Sequence, residues 1–199
     1  MIKINKTYTT FAKDFYIGRL AFIIELKEHG MEEKPEHLAM TASSYSLVII
    51  KSIDDSDSFD QVKPLAALCR ELQKLNPLTK VLLYTNGTIK PIGFTGIKNV
   101  ELIVNVLGKE SEIGYSSRVN EKVFGWLDKM GAKFVFKVRT NEEFDDVNYI
   151  VSSILLKKSS IYINVQTYNF NSTLLKTYVQ GYNVFVDFSE EWNIEKQKE

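Results

Sequence analysis

The stretch VLLYTNGTI, residues Val81–Ile89, decides between two folds for this chain. Asn86-Gly87 between two apolar runs is the strongest short signal for a β-hairpin. The same letters also occur where a buried parallel strand ends and a loop begins at the rim of a site. The next residues, KPIGFTG, favour the parallel strand, because Pro91 and two glycines interrupt any returning strand, and a paired central strand does not tolerate proline. We therefore expect a parallel α/β fold.

Short apolar runs rich in Val, Ile and Phe recur on both sides of this stretch, and amphipathic helical stretches separate them. Such runs are typical of strands that are covered on both faces. The β-α-β order predicts an incomplete, TIM-like parallel barrel of about six to seven strands with flanking helices. The predicted strands are Arg19–Leu26, Ser46–Lys51, Lys80–Thr85, Val100–Leu107, Lys133–Arg139, Ile161–Gln166 and Tyr182–Phe188.

Helix start and stop signals lie between the predicted strands. Thr140 with Glu143, and Ser58 with Gln61, match the capping-box pattern of a helix start. The other expected boundaries are a stop at Asn76-Pro77, a helix over Pro35–Ser43, a helix capped by Ser117 that ends at Gly131, and a helix over Ser172–Gln180.

Composition excludes several classes of protein. The 199 residues fit one α/β domain over residues 1–187 and a charged tail over residues 188–199. Lys+Arg and Asp+Glu are both 25, so the net charge of +0 provides no general attraction to nucleic acid or to an anionic membrane. No apolar run is long enough for a transmembrane helix or a secretory signal. Cys69 is the one cysteine, which excludes a disulfide within the chain and fits a cytoplasmic protein.

Polar residues follow several predicted strands, at the carboxyl ends where parallel sheets bind ligands. The acidic cluster Asp54, Asp55, Asp57 and Asp60 can hold Mg²⁺ through one or two carboxylates, or it forms a solvated loop that leads to a capped helix. The segment Thr85–Thr88 ends the third strand as Thr-Asn-Gly-Thr. Lys137 and Arg139 share one face of their strand, where they can meet an anionic ligand or reach solvent as strand-end charges. These positions form the candidate ligand rim.

No pattern in the sequence predicts a catalytic nucleophile or a metal centre. Cys69 lies at an apolar position of a helix, which indicates a core residue. The two histidines, His29 and His37, have no accompanying ligands at a metal-binding spacing. The glycine motifs of phosphate loops and nucleophile elbows do not occur. We therefore assign no catalytic or metal residue.

Several segments, taken in order, resemble one known family. TTFAKDFYIGRLAFIIEL, which contains Gly18-Arg19, is similar to the family's opening, and SYSLVIIKSIDDSDSFDQVKPLAALCRELQKL is similar to its second strand, ligand loop and helix. VLLYTNGTI resembles its third strand, with the Thr-Asn-Gly-Thr ending at Thr85–Thr88. KFVFKVRTNEEFDDVNYIV resembles its late strand–helix unit. The family is the 7-carboxy-7-deazaguanine synthases of the radical S-adenosylmethionine (SAM) superfamily.

The resemblance implies a [4Fe–4S] cluster held by three cysteines, spaced C-x-x-x-C-x-x-C, after the first strand. It also implies a Gly-Gly-Glu-Pro motif after the second strand that supports the methionine end of SAM. At the position of the cluster cysteines, this chain has KEHGMEEKPEHLAM, residues Lys27–Met40, which contains no cysteine. At the position of the Gly-Gly-Glu-Pro motif it has KSIDDS, which contains no glycine. Because thiolates hold such clusters, we expect no [4Fe–4S] cluster here.

These observations favour a non-catalytic, radical-SAM-like scaffold that acts through a protein partner, self-association or a structural role. The alternative is a cluster-free small-molecule binder or enzyme with a purine- or pterin-like ligand at the strand rim. In that alternative Asp54 and Asp55 would hold a metal, and Asn86 and Lys137 would contact the ligand. Nothing in the sequence predicts a nucleic-acid or membrane partner.

Overall fold

One sheet of nine strands organises the part of the chain that the structure, a computed structural model, describes: residues 1–13, 15–53, 57–108, 114–165 and 170–185. The predicted tail over residues 188–199 lies outside these ranges. The strands are β1 (Ile2–Phe11), β2 (Leu20–Leu26), β3 (Met31–Glu33), β4 (Leu47–Ser52), β5 (Lys80–Thr85), β6 (Val100–Val106), β7 (Lys133–Val138), β8 (Ile161–Val165) and β9 (Asn183–Phe185).

Helices cover the outer face of this sheet. They are α1 (Pro35–Ala42), α2 (Val62–Leu75), α3 (Tyr115–Arg118), α4 (Glu121–Lys129), α5 (Asn141–Ile154) and α6 (Phe170–Gln180), with short 3₁₀ turns at Ser58–Gln61 and Lys158–Ser160. Within the described ranges, none of these helices has the length and apolar character needed to span a membrane.

The sheet is mostly parallel and does not close into a full barrel. The strand order is β3-β1-β2-β4-β5-β6-β7-β8-β9, and every pair from β2 onward is parallel. Val81 pairs with Val48 on one side and Val100 on the other, so β5 is a central parallel strand. The predicted incomplete barrel with flanking helices is therefore confirmed, and the hairpin interpretation of Asn86-Gly87 is excluded.

The antiparallel strands β1 and β3 were not predicted from the sequence. β1 runs back along β2, and β3 pairs with β1 in the register Ile4↔Met31 and Ile2↔Glu33. Only Ile2 and Ile4 of β1 are buried, so its apolar alternation is too short to predict ten residues of strand. β3 has three residues and depends wholly on β1 for its hydrogen bonds.

Two apolar layers lie on the two faces of the sheet. Alternate residues such as Phe22 and Ile24 pack against the helices, whereas Ile23 faces the concave side with Ile49 and Leu82. Cys69 is fully buried in the helix-side layer, which confirms its prediction as a core residue. Burial raises the pKa of its thiol to about 12.

The structure confirms one predicted capping box and corrects the other. Thr140 Oγ1 accepts from the Glu143 N–H at 3.2 Å, and Glu143 Oε2 accepts from the Thr140 N–H at 3.2 Å. The prediction of a capping box formed by Ser58 and Gln61 is wrong. Asp57 caps that turn, and the Gln61 amide instead bonds to both backbone groups of Lys3 at 2.6 and 3.1 Å. Gln61 is thus used to hold β1.

The predicted cap at Ser117 is also wrong. Asn120 caps α4 by accepting from the Val123 N–H at 3.3 Å, because α3 is a separate single turn. The C-terminal prediction holds, since Gly131 follows α4 in the left-handed region with φ of +78°.

Candidate functional site

The Thr-Asn-Gly-Thr segment after β5 folds around one buried carboxylate, Asp57. Thr85 Oγ1 donates to Asp57 Oδ1 at 2.6 Å, and the Thr88 N–H and Oγ1 both lie 3.1 Å from Oδ2. The backbone N–H groups of Phe59 and Ile89 add bonds of 3.0 and 3.3 Å. Asp57 is only 4% exposed. We call this cluster the Asp57 turn, and its carboxylate is satisfied by neutral donors from the chain itself.

Asn86 and Gly87 shape the Asp57 turn. Asn86 Oδ1 accepts from the Thr88 N–H at 3.1 Å, an Asx-type turn in which the side chain replaces a backbone acceptor. Gly87 has φ of +78°, and a Cβ there would lie 2.7 Å from Phe124 and 2.9 Å from Val104. Glycine is therefore required both by conformation and by space.

The eight predicted rim residues fall into three groups. Thr85, Asn86, Gly87 and Thr88 lie together in the Asp57 turn. Lys137 and Arg139 belong to β7 and to the residues just after it, so β6 separates them from β5. Asp54 and Asp55 lie outside the described residues. Their role in a ligand site stays a prediction.

The concave face carries a second carboxylate, Glu25 of β2, near the carboxyl ends of the strands. Tyr8 Oη donates a hydrogen bond to Glu25 at 2.8 Å, and Asn5 Nδ2 donates a second one at 3.3 Å. The Lys51 ammonium lies 3.9 Å from the same carboxylate. Burial alone would raise the pKa of Glu25, but these hydrogen bonds and the cations Lys6 and Lys51 outweigh it and lower the pKa. Burial and the bond to Glu25 raise the pKa of Tyr8 to about 12.

Sequence reasoning missed Glu25, although its signal is present. A single glutamate inside the apolar strand LAFIIEL indicates either a paired buried charge or a functional one. Its partners Tyr8 and Lys51 lie on two other strands, so only the sheet order brings them together.

Asn164 of β8 lies beside Lys137 on the concave face, in direct register. Asn164 is 5% exposed. The Lys137 side chain is exposed. Together they present amide and ammonium donors at the carboxyl edge of the sheet.

The opposite end of the concave face is closed by the loop between β1 and β2. Tyr16 of this loop donates its hydroxyl to Glu101 of β6, which also bonds to the Lys133 ammonium at 2.9 Å and lies 3.4 Å from that of Lys80. We call these four residues the Glu101 cluster. Phe15 packs beside them, with its ring centroid 5.2 Å from that of Tyr162.

The surroundings of the Glu101 cluster determine the protonation states of Glu101 and Tyr16. Burial favours the neutral acid, but the bonds from Tyr16 and Lys133 outweigh burial and lower the pKa of Glu101. The Tyr16 pKa rises to about 12, chiefly through burial and then through the bond to Glu101. The carboxylate and the neutral phenol are therefore the forms that hold this loop.

The segment Lys27–Met40 does not fit a thiolate-held cluster. It forms a turn at Gly30, where an added Cβ would lie 2.2 Å from the Ile4 carbonyl oxygen, and then β3 and most of α1. No cysteine lies in it, and the buried Cys69 thiol stays protonated. Among the described residues, no group of three or more His, Cys, Asp or Glu side chains is placed to hold a metal ion.

Comparison with solved structures identifies the fold. QueE from Escherichia coli matches with a TM-score of 0.60 and 12% identity, over 94% of this chain and 93% of QueE. SuiB from Streptococcus suis matches with a TM-score of 0.51 and 11% identity, over 81% of this chain and 44% of SuiB. Its complex with the precursor peptide SuiA matches with a TM-score of 0.54 and 10% identity, over 94% of this chain and 47% of that one.

QueE and SuiB are radical SAM enzymes, and QueE is a 7-carboxy-7-deazaguanine synthase. The fold predicted from the resemblance is therefore confirmed. The chain spans less than half the length of SuiB. No protein-family model and no curated protein matches this sequence.

Proposed function

We propose that this chain is a non-catalytic, cytoplasmic scaffold of the radical SAM type that acts by binding a protein. One observation carries the proposal. The segment Lys27–Met40, where the resemblance places the cluster ligands, is a turn, an edge strand and a helix start with no thiol. A cluster cannot be held without thiolates, and without one the radical cannot form on SAM.

Two further features support the proposal. The Thr-Asn-Gly-Thr segment uses its donors on Asp57, within the chain, and the β1–β2 loop fills the amino-terminal end of the concave face. Both elements thus contribute to the fold itself. SuiB is described in complex with the precursor peptide SuiA, which supports a peptide or protein partner for a chain of this fold.

Anaerobic reconstitution with iron and sulfide tests the non-catalytic half of the proposal. We expect no bound iron, no cluster absorption and no cleavage of SAM, with QueE treated in parallel as the positive control. A Cys69→Ser variant should behave like the wild-type chain, because the thiol is buried. Stoichiometric iron together with SAM cleavage would overturn the proposal.

The second candidate function is binding of a small anionic or heterocyclic molecule, purine- or pterin-like, at the concave rim. The position of Asn164 beside Lys137 favours it, because a largely buried side-chain amide next to a cation at the carboxyl edge of the sheet suits a ligand oxygen or nitrogen. Mg²⁺ held by Asp54 and Asp55 belongs to the same candidate.

A thermal-shift screen with pterins, deazapurines, nucleotides and SAM, with and without Mg²⁺, tests this second function. A ligand present at a free concentration of about one hundred times its Kd should stabilise the native state by about 2.7 kcal/mol. Asn164→Leu should abolish the shift. No shift at millimolar ligand would argue against a rim ligand.

A further inference from the structure

The strand β1 is paired on its outer side over only part of its length. β3 pairs with β1 at Ile2–Ile4, whereas Lys6–Phe11 pairs with β2 alone among the strands that the structure describes. Six residues of antiparallel strand extend over about 20 Å, which is enough to pair with a further strand of ordinary length. We call the outer side of Lys6–Phe11 the β1 edge.

The direction of the backbone groups on the β1 edge follows from the residue after it. The Ala12 N–H donates to the Arg19 carbonyl oxygen at 2.8 Å, on the β2 side. Backbone groups alternate in direction along an antiparallel strand, so the N–H and C=O groups of Thr7, Thr9 and Phe11 point away from β2. No strand of the described chain meets them there. Such a row of unpaired groups is a template for one more strand.

The β1 edge lacks most of the features by which proteins protect such edges. Charged side chains, proline, bulges or a covering element normally prevent pairing. β1 has a bulge between Ile4 and Lys6, and Lys6 carries a charge. Beyond them the sequence of Thr7–Phe11 is TYTTF, which has no charge and no proline and is rich in residues that favour strands. The sequence therefore leaves this part of the edge able to pair.

Large apolar side chains are exposed where the β1 edge ends. Phe11 and Leu20 are cross-strand partners and are 63% and 48% exposed, and Ile17 in the loop that joins β1 to β2 is 58% exposed. Two residues further along β2, on the same face, Phe22 is buried and stacks on Tyr45 with ring centroids 5.1 Å apart. The chain therefore covers this face at Phe22 and leaves it uncovered at its end.

Positive charge borders these exposed apolar side chains. Lys13 and Arg19 are exposed, and neither forms an ion pair with a described residue. The segment Lys6–Leu20 contains three cations and one acid, Asp14, which lies outside the described residues. The segment thus has an excess of positive charge, although the net charge of the whole chain is +0. Charge complementarity therefore favours an acidic partner.

The loop between β1 and β2 is fixed to the sheet before any partner binds. Tyr16, with φ of +64°, donates its hydroxyl to Glu101, and the Gly18 N–H donates to the Ala12 carbonyl oxygen at 2.9 Å. A preformed surface loses little conformational freedom on binding. A residue other than glycine that is held at positive φ is also a reason to look for a function.

We propose that the β1 edge binds an extended, acidic segment of a partner protein, which adds to the sheet as an antiparallel strand. The backbone of this segment pairs with the β1 edge, an apolar side chain covers Phe11 and Leu20, and acidic residues face Lys13 and Arg19. In this mode of recognition the main-chain hydrogen bonds supply affinity and the side chains supply specificity. The inference rests on the proposed protein-binding function and names its surface and the chemistry of its partner.

A synthetic peptide with these features tests the proposal by fluorescence anisotropy. The labelled, blocked peptide begins with glutamates, continues with a phenylalanine and ends in alternating threonine and valine, so its acidic end reaches the loop when it lies antiparallel to β1. We expect saturable binding, and none when lysines replace the glutamates. N-methylation of the alternate amides that face β1 should abolish binding, whereas N-methylation of the other set should preserve it.

Variants of the chain locate the contact. Thr9→Pro removes an outward N–H but no bond to β2, so it should abolish peptide binding and keep the fold. Lys13→Glu and Arg19→Glu should each raise the peptide Kd by about fivefold, and the double variant should bind the lysine peptide instead. Leu20→Ser should also raise the Kd, whereas Leu78→Ser, in the exposed turn after α2, is the matched control that should not. Circular dichroism and thermal melts confirm that each variant is folded.

Hydrogen exchange identifies the backbone contact. The amides of Thr7, Thr9 and Phe11 should exchange rapidly in the free chain and become protected in the peptide complex. Protection of these amides in the free chain would overturn the proposal, because the edge would then be occupied by the chain itself or by a second copy. Absence of peptide binding at millimolar concentration would also overturn it, as would binding of phosphatidylserine vesicles in place of the peptide.

The outcome for the β1 edge can be separated from the outcome for the non-catalytic proposal. A chain that binds no peptide and takes up no iron would overturn the edge alone, and the protein-binding surface would lie elsewhere. A chain that binds the peptide but takes up iron and cleaves SAM would overturn the non-catalytic proposal alone.

Discussion

The Asp57 turn and the Glu101 cluster lie at opposite ends of the parallel strands, and each holds a loop to the sheet through one carboxylate. Asp57 is buried and accepts only from backbone N–H groups and threonine hydroxyls. Glu101 is partly exposed and is bound by two lysines and a phenol. The first depends on backbone geometry and the second on charge. They should therefore respond differently to mutation, salt and pH.

Asp57→Ala should produce the largest effect. It leaves buried N–H and hydroxyl donors without an acceptor, and each such group costs about 1–3 kcal/mol, so we expect a loss of about 3 kcal/mol or more in the free energy of unfolding. Urea denaturation measures it. Asp57→Asn, which keeps one acceptor oxygen, should lose less. If Asp57→Ala lowered the free energy of unfolding by less than Glu101→Gln, the proposed difference between the Asp57 turn and the Glu101 cluster would be contradicted.

Gly87→Ala should cost about 2 kcal/mol, because a Cβ meets Phe124 and Val104 and φ is positive. Gly96→Ala is the matched control, since φ there is +83° but nothing lies within 4 Å of the added Cβ. The difference between the two variants in urea denaturation isolates the steric contribution from the conformational one. Equal losses would show that the Asp57 turn has room to adjust.

Glu101→Gln should cost about 1 kcal/mol, since it removes charge-assisted bonds that are partly open to solvent. The loss should shrink in high salt, where exposed ion pairs are screened. Asp57→Ala should show no such dependence, because Asp57 has neutral donors. A salt-independent loss for Glu101→Gln would contradict the distinction between the two centres.

Acid should reveal the smallest effect. The pKa of Glu101 is lowered in the folded state, so its contribution to stability is complete above the ordinary value of 4.5 and is lost as pH falls through the folded-state pKa. The difference in unfolding free energy between wild type and Glu101→Gln should therefore narrow on acidification. Glu25→Gln should behave alike, since the pKa of Glu25 is also lowered. A constant difference across this range would contradict the predicted linkage.

Local signals predicted much of the fold. The apolar run KVLLYT predicted both bounds of β5 correctly, and the capping pair Thr140 and Glu143 predicted the start of α5. Both signals depend only on residues that are close together in the sequence. Only one part of the Asp57 turn could be predicted from the sequence. Thr85–Thr88 was recognised as a strand-end element, but its acceptor lies 28 residues from Thr85 in the chain. No spacing rule links the two.

The sequence by itself determined the parallel α/β fold, because apolar periodicity and turn residues act locally, and it determined that the cluster thiols are lacking. Only the tertiary structure decided what the polar residues contact. It paired Asp57 with the Thr-Asn-Gly-Thr segment, and it bonded the Gln61 amide to the backbone of β1. Strand order and register set such contacts, and both arise from packing the whole chain.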